Sequence, residues 1–350
     1  MTCKLSRRSL IQGLAAAGSM SAFPEIGLAQ SRSIATTSFP GAWEQAFRTI
    51  IIPEFRKRTN DATVNLVPSI PIDTLSKLVG SKNNPPYDVV VLDEGPYLSA
   101  VQQGLFAPIP ADQVPNLKDM APKFVDPRNL GVFISAQIIG IAYNPEKIKT
   151  PPRSWNDLLK PEYKGRVGLS NMAGTLTAAW MVEIAKINGG DEERMDPAFD
   201  FVKRMVPNLG AITPSPGALA TLFQQGQIDI AVHYNNNVAD LQAKGVAIEL
   251  AKPDTGFTMI RSTIHIIKNG KNPDLAAQYV NTVIDPAVQA KLGNTPYNLV
   301  TTNSRVPFAP GLARLVKDMA ELESFRTVDW VKFNPHFHGY IDRFNREIRI

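Results

Sequence analysis

Strand and helix patterns alternate along this chain, and this alternation limits its fold more than any other feature. Residues 88–92 form a Val-rich run of the kind found in strands buried on both faces, and a helical pattern follows over 96–103. Earlier, a short β-like run at 33–38 precedes a stretch, 43–55, in which large apolar residues recur at three- and four-residue spacing, as on the buried face of a helix. Strands that alternate with helices through short loops predict an α/β fold with a parallel sheet. In such sheets, ligands bind beyond the carboxyl ends of the strands.

Two extended segments, 133–143 and 257–267, lack a helical pattern and bracket a self-contained α/β stretch at about 144–252. This arrangement predicts that the chain crosses twice between two lobes, as in a hinged clamp that closes on a ligand. The chain of 350 residues is also longer than one hydrophobic core usually supports. We therefore expect the first lobe to comprise 30–135 and 262–308, and the second lobe to comprise 136–261 and 309–350.

The N-terminal segment, 1–29, differs from the rest of the chain and is typical of an export signal. Lys4, Arg7 and Arg8 precede a short, weakly apolar stretch, and small residues around Ala29 suggest a cleavage site. The paired arginines resemble the twin-arginine consensus, and a Sec signal that happens to carry two arginines is the alternative. Both routes predict a periplasmic protein whose signal peptide is removed near Ala29.

Composition and charge exclude several classes of protein. The formal net charge is +5, and it becomes +3 after loss of the signal, which removes three basic residues and one acidic residue. The basic residues are dispersed along the chain, so no nucleic-acid partner is expected. No apolar run is long enough for a transmembrane helix. The single cysteine, Cys3, precedes the apolar stretch of the signal, so we expect an exported monomer with neither a disulfide nor a lipid anchor.

An enzymatic function is not expected. The exported chain has no cysteine, no Gly-x-Ser-x-Gly, no His-Glu-x-x-His and no Gly-x-x-x-x-Gly-Lys sequence, which removes the commonest nucleophile, metal and phosphate motifs. His336 and His338 would share one face of a strand, but no Cys or carboxylate cluster accompanies them. Neither a metal nor another cofactor is therefore predicted.

Several motifs resemble those of one family of binding proteins. Residues 140–148 (GIAYNPEKI) and 152–167 (PRSWNDLLKPEYKGRV) resemble the signature block of bacterial extracellular solute-binding proteins, and 87–90, 104–109 and 296–298 fit the same family. The resemblance is nearest to the family 1 branch of spermidine/putrescine, iron(III) and phosphonate binders. It implies a type II periplasmic-binding fold, in which hinge strands join two α/β lobes around one small polar solute. It also implies two partners, an ABC permease in the inner membrane and its ATPase.

A strand end that leads into a helix offers the sharpest candidate binding residues. Ser170, Asn171, Gly174 and Thr175 lie at this junction. Hydroxyl and backbone N–H groups with a helix dipole behind them suit a carboxylate or phosphonate oxygen. The same residue types are common helix N-caps, so a purely structural role is the alternative.

Three further candidates lie at positions where the resemblance places cleft residues. Tyr234 and Asn235 follow a strand and begin a polar segment that we expect to be a loop, where polyamine binders carry an aromatic cleft residue. Arg261 lies in the second extended segment, where polyamine binders carry an acidic residue. A guanidinium group there would grip a carboxylate or phosphonate in two places and would repel a polycation. The alternative is an interlobe salt bridge from Arg261 to Asp93 or Glu94.

The loops after the first and third strands supply the remaining candidates, Ser38, Trp43 and Glu94. Asp93 and Glu94 could together hold an ammonium group against an aromatic face, or they could cap the following helix. With Arg261 opposite, these residues would form a bipolar site. We therefore expect a zwitterionic or anionic solute, such as an amino acid derivative, an aminophosphonate or a carboxylate. A polyamine ligand, and a sensor that signals to a membrane receptor, are the alternatives.

Overall fold

The computed structural model describes residues 32–350, so the predicted export signal lies outside the described residues. The described strands are β1 (Ser33–Ser38), β2 (Thr63–Pro68), β3 (Val89–Asp93), β4 (Val132–Tyr143), β5 (Val167–Ser170), β6 (Leu209–Thr213), β7 (Ile230–Tyr234), β8 (Glu249–Ala251) and β9 (Thr258–Ile266). The described α-helices are α1 (Ala42–Ala46), α2 (Ile52–Arg58), α3 (Pro71–Gly80), α4 (Glu94–Gln102), α5 (Thr175–Ile187), α6 (Asp196–Met205), α7 (Pro216–Gln224), α8 (Asn235–Ala243), α9 (Pro273–Val283), α10 (Pro286–Gly293), α11 (Pro310–Ala313), α12 (Met319–Ser324), α13 (Trp330–Phe333) and α14 (Phe337–Glu347). A π-helical segment, Phe47–Ile51, joins α1 to α2. Within residues 32–350, no helix combines the length and the apolar character that crossing a membrane requires.

All the described strands belong to one mixed sheet with the order β2-β1-β3-β9-β4-β7-β5-β6, and β8 also pairs with β4. Strands β2, β1 and β3 are mutually parallel, and so are β6, β5 and β7. The antiparallel strands β4 and β9 lie between these two groups. The first part of β4 pairs with β9, and its last part, from Ile139 to Tyr143, pairs with β7. Strands β4 and β9 therefore join two α/β lobes, one built on each parallel group, and the predicted α/β architecture is confirmed.

Separate hydrophobic cores lie on the two sides of the hinge strands. In the core built on β1 and β3, the rings of Phe55 and Tyr279 meet edge to face with centroids 5.0 Å apart. In the main core on the other side, Trp155 and Trp180 meet in the same way with centroids 6.0 Å apart. Because each lobe keeps its own packing, the two lobes can rotate about β4 and β9 without disrupting either core.

Two local predictions are wrong. The polar segment after β7 is not a loop, because 235–237 begins α8, and the burial of apolar residues such as Leu241 outweighs the turn preference of asparagine. His336 and His338 do not share a strand face, because α14 begins between them. His336 instead lies 3.9 Å from Glu193 on the protein surface.

Candidate functional site

A narrow pocket lies where the two lobes meet, and we call it the cleft pocket. It is lined by Phe39, Pro40, Trp43, Ile70, Pro71, Asp93, Gln137, Gly174, Thr175, Leu176, Pro216, Tyr234 and Asn237. Beside it, a β-carbon on Gly217 would lie 3.5 Å from the α-carbon of Gly41, so the two lobes are in van der Waals contact. The pocket has a volume of about 40 Å³, room for about three water molecules. A solute of amino-acid size can therefore enter only when the lobes separate.

Among the described residues that line the cleft pocket, Asp93 alone carries a charged group. Its side chain is buried, its Oδ1 accepts a hydrogen bond from Ser262 Oγ at 3.1 Å, and no basic residue of the described chain pairs with it. Burial raises the pKa of the Asp93 carboxyl to about 7, although the hydroxyls of Thr175 and Ser262 act to lower it. A buried carboxylate without a counter-charge is costly, and a cation in the pocket would remove that cost.

A chain of hydrogen bonds holds the polar side chains of the cleft pocket in place. Trp43 Nε1 donates to Gln137 Oε1 at 3.3 Å, and Gln137 Nε2 donates to Ser262 Oγ at 3.1 Å. Ser262 then donates to Asp93. Because Gln137 belongs to β4 and Ser262 to β9, the hinge strands fix the indole and the carboxylate relative to each other.

Three helices begin at the cleft pocket without a side-chain cap: α1 after Gly41, α5 after Gly174 and α8 after Tyr234. Residues of their first turns line the pocket, including Thr175 in α5 and Asn237 in α8. The unpaired N–H groups and the positive end of the dipole make such positions favourable for an anion. The cleft pocket thus presents a carboxylate and a set of N–H donors in the same small space.

Four of the predicted site residues, Trp43, Gly174, Thr175 and Tyr234, line the cleft pocket together with Asp93. Trp43 follows β1, Gly174 and Thr175 follow β5, and Tyr234 and Asp93 are the last residues of β7 and β3. Strands β1 and β3 run antiparallel to β5 and β7, so the carboxyl ends of the two parallel groups face each other across the hinge. Their contacts with a solute stay predictions.

Four other predicted residues, Ser38, Ser170, Asn171 and Asn235, do not line the cleft pocket. Ser38 is completely buried. The Ser170 hydroxyl is hydrogen-bonded to a hydroxyl in α5 at 2.9 Å, and the Asn171 amide donates to a residue of α14 at 3.0 Å. The Asn235 side-chain oxygen accepts a hydrogen bond from the backbone N–H of Ile138 in β4 at 2.9 Å. Its side-chain nitrogen donates to the backbone carbonyl of Asn298, also at 2.9 Å. The side chains of Ser170, Asn171 and Asn235 are thus engaged within the protein, whereas the buried Ser38 hydroxyl has no hydrogen-bond partner among the described residues.

The structure does not bring Arg261 and Glu94 to the cleft pocket. Arg261 donates to the Glu94 carboxylate through Nε at 2.9 Å, through Nη2, and through its backbone N–H at 3.1 Å. The pair lines a second pocket on another surface. The salt bridge that the sequence left as an alternative is therefore the arrangement present, and the site loses the guanidinium on which the expected anion affinity depended.

Sequence reasoning does not single out Gln137, Ser262 or Asn237. Gln137 is a polar residue in the otherwise apolar run 136–142, and a buried polar group requires a hydrogen-bonding partner, so this signal could have identified it. Ser262 and Asn237 carry no comparable signal, since Ser262 lies among other polar residues at 261–263 and Asn237 is the last of three consecutive asparagines.

Comparison with known proteins places the chain among binding proteins. Residues 84–334, more than half of the chain, match the family described as bacterial extracellular solute-binding protein. A probable ABC transporter periplasmic-binding protein of Sinorhizobium fredii is 24% identical over 285 residues, which cover 78% of this chain and 76% of that protein. The spermidine/putrescine-binding periplasmic protein of Escherichia coli is 22% identical over 259 residues, which cover 70% of this chain and 72% of that protein.

The fold is also found in solved structures. The periplasmic binding protein AfuA from Actinobacillus pleuropneumoniae, determined with exogenous fructose-6-phosphate bound, is 23% identical, has a TM-score of 0.72, and covers 90% of this chain and 98% of its own. Polyamines and a sugar phosphate are chemically unlike, so likeness to these proteins gives the fold and the transport class but no ligand. This chain belongs to the family of bacterial extracellular solute-binding proteins, which are the substrate-binding components of ABC importers.

Proposed function

We propose that this chain is the periplasmic substrate-binding component of an ABC importer for a small zwitterion whose ammonium group is held by Asp93. The observation that carries the proposal is the buried Asp93 carboxylate, which faces the cleft pocket without a basic partner from the described chain. Its remaining elements follow from the family: export with removal of the signal near Ala29, a monomer that binds without catalysis, and an inner-membrane permease and ATPase as partners.

The side chains around Asp93 support the proposal that the solute carries an ammonium group. Trp43 and Tyr234 line the same pocket, and both side chains are buried. Aromatic faces attract a desolvated ammonium group, and a close positive charge lowers the pKa of a carboxyl. An ammonium beside Asp93 is therefore expected to bind the ionised carboxylate and to release a proton near neutral pH, since the pKa of Asp93 is raised to about 7 by burial.

The helix N-termini, rather than a basic side chain, support the proposal that the solute also carries a carboxylate. No Lys or Arg lines the cleft pocket, but α5 and α8 both begin there without a side-chain cap. Their free N–H groups suit a carboxylate. A solute with only negative groups is less favoured, because Asp93 would repel it.

Capture is expected to follow the clamp mechanism. The solute bridges the two lobes, the lobes rotate about β4 and β9, and closure buries it. The closed form then docks productively on the permease, because a ligand stabilises the conformation that it binds best. We propose the lobe ranges 30–135 with 262–308 and 136–261 with 309–350.

Four compounds that share a four-carbon skeleton test the ammonium contact and the carboxylate contact of the solute separately. The purified chain is mixed with 4-aminobutyrate, butylamine, butyrate or putrescine, and its melting temperature is measured, because a ligand raises it by mass action. We expect 4-aminobutyrate to raise the melting temperature most, butylamine less, and butyrate not at all. Asp93→Asn should abolish these shifts, while Asp254→Asn, a change on the exposed surface, should retain them.

Two results contradict the proposal in different ways. If butyrate stabilises the protein as strongly as 4-aminobutyrate, the ammonium contact with Asp93 is wrong. If putrescine stabilises it more than 4-aminobutyrate does, the ammonium contact holds, but the solute is a diamine and the helix N-termini do not bind a carboxylate.

A further inference from the structure

A second pocket, larger than the cleft pocket, has no role in solute capture by Asp93. Its volume is about 840 Å³, within the range of small-molecule sites. Its lining includes Glu94, Tyr97, Asp126, Arg128, Phe133 and Arg261, and we call it the outer pocket. Two of these residues directly neighbour cleft residues in the sequence, since Glu94 follows Asp93 and Arg261 precedes Ser262. Arg261 and Ser262 are neighbours in β9 and therefore point to opposite faces of the sheet. Glu94, the first residue of α4, pairs with Arg261 on the side of the outer pocket.

Two guanidinium groups lie over aromatic rings in the outer pocket. The Arg261 guanidinium is 4.4 Å from the centroid of the Phe133 ring, and that of Arg128 is 5.5 Å from the Tyr97 ring. The two rings meet edge to face with centroids 5.9 Å apart. The outer pocket therefore has one continuous aromatic wall with an arginine on each ring, an arrangement that keeps both guanidinium groups in fixed orientations.

Carboxylates hold one edge of each guanidinium group and leave other N–H donors available. Glu94 accepts from Nε and Nη2 of Arg261, whose Nη1 donates to the Lys123 carbonyl at 3.3 Å. Asp126 accepts from Nε and Nη2 of Arg128, at 3.0 and 2.9 Å, and Nη2 also donates to Tyr97. Nη1 of Arg128 makes no hydrogen bond to any residue between 32 and 350. A guanidinium has five donors, so Arg128 can still bind an acceptor.

These features define the ligand by its chemistry. Two arginines, Lys123 and two carboxylates line the outer pocket, which leaves a net charge of +1. Because each arginine is paired with a carboxylate, directed N–H donors together with this small positive charge would recognise an anion. The remaining lining includes Leu98, Pro122 and Val125, which suit an apolar body, and a flat ring can stack on a guanidinium or an aromatic face. We propose that the outer pocket is a second binding site, for a small aromatic carboxylate. This site is independent of the proposed function of the cleft pocket.

Benzoate is the probe for this site, because it joins one carboxylate to one flat ring. Its binding to the full purified chain is measured by isothermal titration calorimetry, with inorganic phosphate as the anion that lacks a ring. We expect saturable binding of one benzoate per chain and none of phosphate. Arg128→Gln should weaken benzoate binding roughly tenfold or more, because it removes a charge-assisted donor. Arg153→Gln is the matched control, since Arg153 is 81% exposed and lies outside both pockets.

A second variant keeps the test valid if Arg128→Gln disturbs the fold around Asp126. Pro127 is exposed at the lining of the outer pocket, and Pro127→Trp should fill the space and reduce benzoate binding without altering a charged group. Asp93→Asn should leave benzoate binding unchanged while it abolishes the response to 4-aminobutyrate, so the two proposals fail separately. Benzoate binding that is absent up to roughly 10 mM, unaffected by both outer-pocket variants, or lost in Asp93→Asn would overturn the assignment.

Discussion

Replacing Asp93 by asparagine should stabilise the protein in the absence of solute, and the gain should be larger at pH 8 than at pH 5. Asparagine keeps the size of the side chain and can still accept the hydrogen bond from Ser262, which is 3.1 Å from Asp93 in the structure. It removes only the ionisable group. Binding residues that lack their ligand often reduce stability in this way, because function rather than folding requires them.

The size of the gain in stability follows from the pKa of the Asp93 carboxyl, which burial raises from 3.8 to about 7. Each pKa unit corresponds to 1.36 kcal/mol, so ionised Asp93 lowers the free energy of unfolding by about 4 kcal/mol at pH 8. Between the two pKa values, the unfolded chain has lost the proton and the folded protein retains it. Stability therefore falls as pH rises through this range. At pH 5 the penalty is about 1–2 kcal/mol, and it fades as the pH falls below the unfolded-state pKa of 3.8.

The assay is urea unfolding of the wild-type chain and Asp93→Asn at both pH values. The gain from the substitution should be larger by roughly 2–3 kcal/mol at pH 8 than at pH 5. Asp254→Asn is the control, because Asp254 is 61% exposed and an exposed substitution changes stability by less than about 0.5 kcal/mol. An equal gain at both pH values, or a loss of stability at pH 8, would show that Asp93 is not a desolvated, ionised carboxylate.

Three further substitutions test a hydrogen bond that positions the cleft and the packing around two glycines. Gln137→Leu removes the acceptor of Trp43 Nε1 and the donor to Ser262. We expect a loss of about 1–3 kcal/mol in urea unfolding and roughly tenfold weaker solute binding by calorimetry, and unchanged binding would contradict a positioning role. Gly95→Ala places a β-carbon 2.5 Å from the Trp330 ring and should cost about 1–3 kcal/mol. Gly339→Ala, whose new carbon would have no described atom within 4 Å beyond its own helix backbone and chain neighbours, should instead stabilise α14 by about 0.5–1 kcal/mol. Equal effects at the two glycines would refute the packing argument.

Much of the fold is predictable because buried strands leave a clear pattern. The run predicted at 33–38 is β1 (Ser33–Ser38), and the extended segments at 133–143 and 257–267 correspond to β4 and β9. Strands covered on both faces carry near-continuous apolar runs, so the Val-rich β3 and most of β4 stand out in the sequence without tertiary information. The start of α8 was not predictable in this way, because three consecutive asparagines favour turns locally. Packing of the later α8 residues, which is a tertiary effect, decides its conformation.

The position of the cleft was predictable from the sequence, but the full set of side chains that line it was not. Trp43, Thr175 and Tyr234 each lie at or just after the carboxyl end of a strand, and this position identifies them as candidates from the sequence. They line one pocket because the carboxyl ends of β1 and β3 face those of β5 and β7 across the hinge. Which of two adjacent residues faces the cleft depends instead on strand register, and a shift of one residue reverses the face. The structure pairs Asp93 with Ser262, so these two residues lie on the same face of the sheet, and Asp93 lines the cleft pocket.

The same register explains why an arginine in a hinge strand does not imply an anionic solute. Because Asp93 and Ser262 take the cleft face, their neighbours Glu94 and Arg261 are turned to the outer pocket, where each neutralises the other. The positive charge that the sequence suggests for the cleft is thereby replaced by helix N-termini, and the negative charge that remains there is a single carboxylate. Under the proposed function, the member of each adjacent pair that faces the cleft sets the charge of the solute that is bound. An exchange of the residues at 261 and 262 should then place a guanidinium beside Asp93 and abolish ammonium binding.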